Sequence, residues 1–219
     1  KKAFPAEADE LFKAAEANPA LLKQTIIATP SATEKQTILP QISLVPNHSY
    51  TVEELINRMI IYSDNQAYDI LNKYIDNQLL IQTFSDLGVD ISQGFTDPNG
   101  NILSVKSYAT FFRILFNASY LNKDMSEKAL SLLSKVKYQD GIIRGINNSQ
   151  ITVSHKFGER TYEDTGEKQL HDCGIVYFPQ KPYLICVMTR GQDFSKLSSS
   201  ISQISQLIYQ SISINSTPK

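Results

Sequence analysis

A chain of 219 residues, 42% of them hydrophobic and 20% charged, is long enough to bury a core as one domain or as one domain with a sub-lobe. Its 21 basic and 22 acidic residues leave a net charge of −1, which gives no electrostatic grip on a phosphate backbone and sets nucleic acid aside as a partner. Polar residues break every apolar run short of the roughly 18 residues a spanning helix needs, and 9 glycines and 9 prolines exclude collagen-like and low-complexity classes.

Residue 1 is Lys and no signal peptide precedes it, so a processed, trimmed or fragmentary chain is expected. Phe4, Ala8, Leu11, Phe12 and Ala15 fall on one helical face, and Glu7, Asp9, Glu10, Lys13 and Glu16 on the other. The spacing predicts an amphipathic helix over 3–17 that stops near Asn18-Pro19. Burying unpaired carboxylates is costly, so the acids of residues 6–10 are expected to face solvent, or the segment to have been reworked. Prolines 30, 40 and 46 make residues 29–50 loop and extended pieces.

Thr51, with Glu54 three residues on, reads as a capping box for a helix carrying Leu55, Met59 and Ile60. That stripe breaks at Tyr62-Ser63-Asp64-Asn65, and Ala67, Ile70, Leu71 and Tyr74 start another, so Ser63-Asp64-Asn65 is expected at a tight corner between helices. Residues 78–87 read as helix, and 88–103 as a loop with the turn Asp97-Pro98-Asn99-Gly100. Two serine-capped helices are expected at Ser104–Asn117 and Ser126–Lys137. The period then changes to that of strands at 151–158, 172–178 and 183–190, with Pro179–Pro182 as a hairpin, and a closing amphipathic helix runs over 194–212. Helices followed by antiparallel strands indicate an α+β fold.

Three local features can carry chemistry: Ser63-Asp64-Asn65 at the corner, His155-Lys156-Phe157-Gly158 on a strand, and His171-Asp172-Cys173-Gly174 opening the next. Each has an ordinary explanation, namely a helix cap, a solvated lysine, and a His beside an Asp as a satisfied pair. Cys173 and Cys186 can form one bridge or remain thiols, and two small core hydrophobes is the favoured reading. The 3 histidines (48, 155 and 171) and 2 cysteines show no close ligand spacing, and no glycine-rich phosphate loop or dinucleotide fingerprint occurs, so neither metal nor cofactor is expected.

Taken together, these motifs resemble the class A β-lactamase and penicillin-interacting serine hydrolase family. Thr51–Ala67 resembles the helix ending in that family's Ser-Asp-Asn motif, and His155–Gly158 its Lys-Thr-Gly strand. Residues 171–177 and 182–191 are similar to its next two strands, Ser126–Leu133 to the helix before the site strand, and Lys13–Leu22 to the end of its core helix. The resemblance implies a β-lactamase/transpeptidase-like fold over residues 1–219, an antiparallel sheet flanked by helices plus a mostly helical lobe. Residues 25–145 would form the helical lobe, and 1–24 with 146–219 the sheet-plus-helix lobe.

It further implies a serine hydrolase acting on β-lactams or cell-wall peptides through an acyl-serine. Ser63 and Lys156 would be catalytic, Asn65, Phe157, Gly158 and His155 would bind substrate, and Asp64 would be structural. A β-lactam or peptide-like small molecule would be the substrate, and the location would be extracytoplasmic, outside the inner membrane.

The chain departs from the family in three ways. Phe157 stands where the motif has a hydroxyl that grips the substrate carboxylate, and Phe cannot hydrogen-bond. Ser-x-x-Lys matches occur only at Ser134–Lys137 and Ser216–Lys219, both out of place; the resemblance puts the nucleophile at or just before residue 1, and both an upstream nucleophile and a chain lacking one remain open. No Glu lies between Gly88 and Ser104 to activate water, where Asp90 and Asp97 are the only acids, so slow or no deacylation is expected. A catalytically inactive binding or scaffold domain is the alternative. Lys156 is expected across a cleft from Ser63 and Asn65.

Overall fold

The computed structural model describes residues 4–29, 37–39, 43–75, 85 and 104–214. Helix α1 (Phe4–Ala17) gives way at Asn18 to one 3-10 turn (Pro19–Lys23), where Pro19 needs no N–H partner. Strand β1 (Thr25–Ile27) pairs antiparallel with β2 (Ser49–Thr51). Thr51 then caps α2 (Val52–Ile61): its Oγ1 accepts the Glu54 N–H at 3.1 Å, and the Glu54 carboxylate accepts the Thr51 N–H at 2.7 Å. The corner at 62–64 leads into α3 (Asn65–Leu71). Ser104 caps α4 (Val105–Phe116), as its spacing indicates. Of the helix and turn expected within 78–103, only Ser85, in a helical conformation, is among the described residues.

Helix α5 (Lys123–Leu133) starts three residues earlier than expected. Asn122 Oδ1 accepts the Met125 N–H and is the cap; Ser126 lies one turn inside, 2% exposed, its hydroxyl donating to the Leu121 carbonyl. Short helix α6 (Ile142–Ile146) has no signal strong enough to stand out in sequence. Strands β3 (Val153–Thr161), β4 (Lys168–Val176) and β5 (Tyr183–Gly191) form one antiparallel sheet in that order, and α7 (Phe194–Ile214) closes the fold. The β3–β4 ladder runs beyond Gly158, where apolar alternation ends, because backbone pairing continues to Thr161↔Lys168 around a turn in which the Tyr162 N–H meets the Glu167 carbonyl.

The sheet separates two sets of helices. Register places Ser154, Lys156 and Gly158 on one face with Cys173, His171 and Cys186, and His155, Phe157 and Glu159 on the other with Asp172 and Gly174. The first face packs against α4 and α5: the Ser154 hydroxyl donates to the Leu130 carbonyl at 2.8 Å, and the Tyr108 hydroxyl to the Lys156 carbonyl at 3.3 Å. The second packs against α7, with α6 wedged at its end.

Helix α1 packs on α2 and α5. Two expectations need correction. Asp9 and Glu10 are 2% and 4% exposed, not solvated, because a helix packed between α2, α5 and the 3-10 turn buries more than its apolar face. Cys173 and Cys186 are joined in a disulfide rather than left as thiols; they are register partners on β4 and β5, which sets their side chains together.

Candidate active site

The corner after α2 is shaped by Asp64. Its Oδ1 accepts the N–H groups of Gln66 (2.9 Å) and Ala67 (3.2 Å), capping α3, and its Oδ2 receives Arg58 Nε at 2.9 Å. The Arg58 carbonyl in turn takes the N–H groups of Tyr62 and Asp64. Between them Ser63 adopts φ +57°, a left-handed conformation that a non-glycine residue holds only when its neighbours fix it. That turn presents the Ser63 hydroxyl to β3. Asp64 is 1% exposed, and Asn65 is the first residue of α3, half-buried.

Lys156 reaches this hydroxyl from β3. Its Nζ donates to Ser63 Oγ at 2.8 Å and to the Phe157 carbonyl at 3.2 Å, and stands 4.5 Å from the Phe157 ring centroid. Lys156 is 1% exposed and Ser63 8%. Burial drives the ammonium pKa from 10.5 down to about 7, against the opposing pull of the Asp172 and Glu159 charges. Near neutral pH this lysine can therefore both hold and release a proton, and its Nζ is hydrogen-bonded to the Ser63 hydroxyl.

His155 and Phe157 lie on the opposite face of β3. The Phe157 ring is 2% exposed and stacks at 4.4 Å on Tyr138, whose hydroxyl is hydrogen-bonded to Ser198. His155, 1% exposed, bonds Asp172 Oδ1 through Nδ1 at 2.8 Å, while Asp172 Oδ2 accepts the Ile142 N–H at 3.0 Å. Neither side chain shares the face from which Lys156 meets Ser63. A Cβ at Gly141 would stand 2.3 Å from Asp172 Oδ2, and one at Gly174 2.5 Å from His155 Cβ; only glycine admits the buried pair. Gly158 follows Lys156 on the same face, opposite His171.

The expected pairing of His171 with Asp172 does not form. Adjacent strand residues point to opposite faces, and His171 instead meets the edge of the Tyr108 ring at 5.2 Å. Strand parity alone excludes that pair and leaves Asp172 free for His155, a signal present in the sequence. Tyr108, Tyr138 and Glu159 were not singled out there, because nothing local marks them. Among the described residues no group of three or more His, Cys, Asp or Glu side chains is placed to hold a metal ion, and no helix is long and apolar enough to cross a membrane.

The model of the β-lactamase enzyme family matches residues 8–212. The chain belongs to that family. Its fold is the β-lactamase/transpeptidase-like one, an antiparallel sheet with seven helices among the described residues. The structure of PBP-A superposes with a TM-score of 0.75 at 22% identity, over 96% of this chain and 78% of that one. A β-lactamase from Sphaerobacter thermophilus superposes at 0.78 with 18% identity, over 99% and 82% of the two chains. A β-lactamase from Francisella tularensis does so at 0.79 with 16% identity, over 97% and 84%. No curated protein matches the sequence.

Proposed function

We propose that the protein is a serine hydrolase of the β-lactamase and penicillin-binding type that acts on β-lactams or cell-wall peptides through an acyl-serine. The observation that carries this reading is the buried 2.8 Å contact between Lys156 Nζ and Ser63 Oγ. An attacking serine hydroxyl forms an ester with the substrate carbonyl carbon, the carbonyl–nitrogen bond breaks, and the nucleophile's proton must reach the departing nitrogen. Ser63 is the relay for that proton, and Lys156, titrating near 7, restores it. The Asn65 carboxamide holds the substrate amide. Water then cleaves the ester slowly, because residues 88–104 hold no Glu to activate it. A PBP-A variant at 23% identity is described as an acyl-enzyme complex with penicillin G, which favours the same chemistry here. The Cys173–Cys186 bridge favours an oxidising, extracytoplasmic compartment.

The test is incubation of the full-length protein with a fluorescent penicillin, read by intact mass and peptide mapping. One penicilloyl unit on a serine other than Ser63, formed about a hundredfold more slowly in Ser63→Ala, is the expected result. Label on Ser63 itself would make Ser63 the nucleophile and Lys156 its base. The absence of any label would replace the hydrolase with a non-catalytic binding domain of the same fold.

A further inference from the structure

A cavity of about 320 Å³ opens between α1, the 3-10 turn, β1 and the end of α3. Ligand pockets run from roughly 300 to 1,000 Å³, so it has room for a small molecule. The chain path builds it: α1 runs into the 3-10 turn, β1 follows, and the Gln24 carbonyl accepts the Val52 N–H at 2.9 Å, which ties the start of α2 to the same place. The cavity is separate from the candidate active site. Val52 opens α2 and Ser63 lies beyond its other end, and the 10 residues of that helix set them about 15 Å apart.

The walls are aliphatic, with Leu11, Ile26, Leu71 and Ile75 all buried. Gln24 and Tyr74 line it too and are exposed, which marks its mouth. One charged side chain interrupts the aliphatic wall. Glu10, on α1, lines the cavity and is only 4% exposed. A carboxylate has about four acceptor positions, so a ligand donor can join the contacts that Glu10 already makes within the protein. No basic side chain lines the cavity among the described residues, so the field inside it has one sign. Away from bulk water that field favours a cation and repels an anion more strongly than at an exposed surface.

We propose that this cavity is a second binding site, one that takes a small amine: an ammonium group beside Glu10 and an aliphatic or aromatic body against Leu11, Ile26 and Leu71. The site does not depend on the acyl-serine reading.

The test is an NMR titration of the full-length protein with 2-phenylethylamine, 2-phenylethanol and 3-phenylpropanoate, which share a body and differ in charge. The amine is expected to give saturable shifts at the amides around Leu11, Ile26 and Leu71, and to bind roughly tenfold more tightly than the alcohol. The carboxylate is expected to bind more weakly than either. Glu10→Gln is expected to bring the amine to the level of the alcohol. Ala14→Phe, which places a ring in the cavity, is expected to abolish both. No saturable shift with the amine, a carboxylate that binds as tightly, or an unchanged amine preference in Glu10→Gln overturns the proposal. So does undiminished binding in a folded Ala14→Phe variant; if that variant does not fold, the three ligands and Glu10→Gln decide.

Discussion

The corner at residues 62–65 and the strand at residues 153–158 meet in one hydrogen bond but are built in opposite ways. The capping hydrogen bonds that shape the α2 start and the corner span a few residues: Thr51 to Glu54, Arg58 to Asp64, and Asp64 to Gln66 and Ala67. The contacts that give the strand its chemistry span 93 residues from Lys156 to Ser63, 17 from His155 to Asp172 and 30 from Ile142 to Asp172. The corner can form within its own segment, whereas the strand's polar groups acquire partners only once the core has assembled. A residue on the strand side is therefore worth more to the fold, and its charge state is a property of the whole molecule.

The sharpest way to break this contrast is Asp172→Ala. It strips the acceptor from two buried donors, His155 Nδ1 and the Ile142 N–H, and is expected to cost about 3 kcal/mol. A fall in the urea midpoint with an unchanged denaturant slope would register it. A cost no larger than that of a lost helix cap would erase the difference between the regions.

Lys156→Met tests the same point through pH. The folded pKa of about 7 lies below the ordinary 10.5, so between those values the unfolded chain binds the extra proton and stability rises with pH. The slope is at most about 1.4 kcal/mol per pH unit. That stability disappears as pH falls from 10.5 toward 7, and below 7 the slope vanishes. The Met variant is expected to lose the slope and to gain stability at pH 7, as urea midpoints between pH 6 and 10 would reveal. A slope retained in the variant would place the proton on another group.

The smallest expected effect belongs to the corner side. Thr51→Ala removes the acceptor for the Glu54 N–H and is expected to cost about 1 kcal/mol, measured in the same denaturation series. A cost well above that would mean that the α2 terminus, too, depends on distant packing.

Much of the fold was legible where the signal is local. Thr51 with Glu54, and Ser104 with the apolar stripe after it, mark helix starts because side-chain oxygens meet N–H groups three residues away whatever the rest of the chain does. The corner around Ser63 was legible for the same reason. Asn122 was passed over in favour of Ser126 because both are good caps, and only packing selects the one with an unpaired N–H at the right height. Length in β3 and β4 was underestimated because their outer halves are held by backbone pairing, which leaves no trace in hydropathy.

The candidate site was half legible. Ser63, Asn65, Lys156 and Gly158 stand out as a family-like set, yet nothing local shows that Lys156 is nearly solvent-free or that His155 pairs with Asp172 across the ladder. Sequence alone determined the α+β layout, the capped helix starts and the alternation of faces along β3, since these follow from interactions a few residues long. Tertiary structure alone decided that Asp9 and Glu10 are buried, that two cysteines meet, and that an ammonium titrates near neutrality. Burial and desolvation are set by neighbours far away in the chain, and a linear string of residues does not carry that distance.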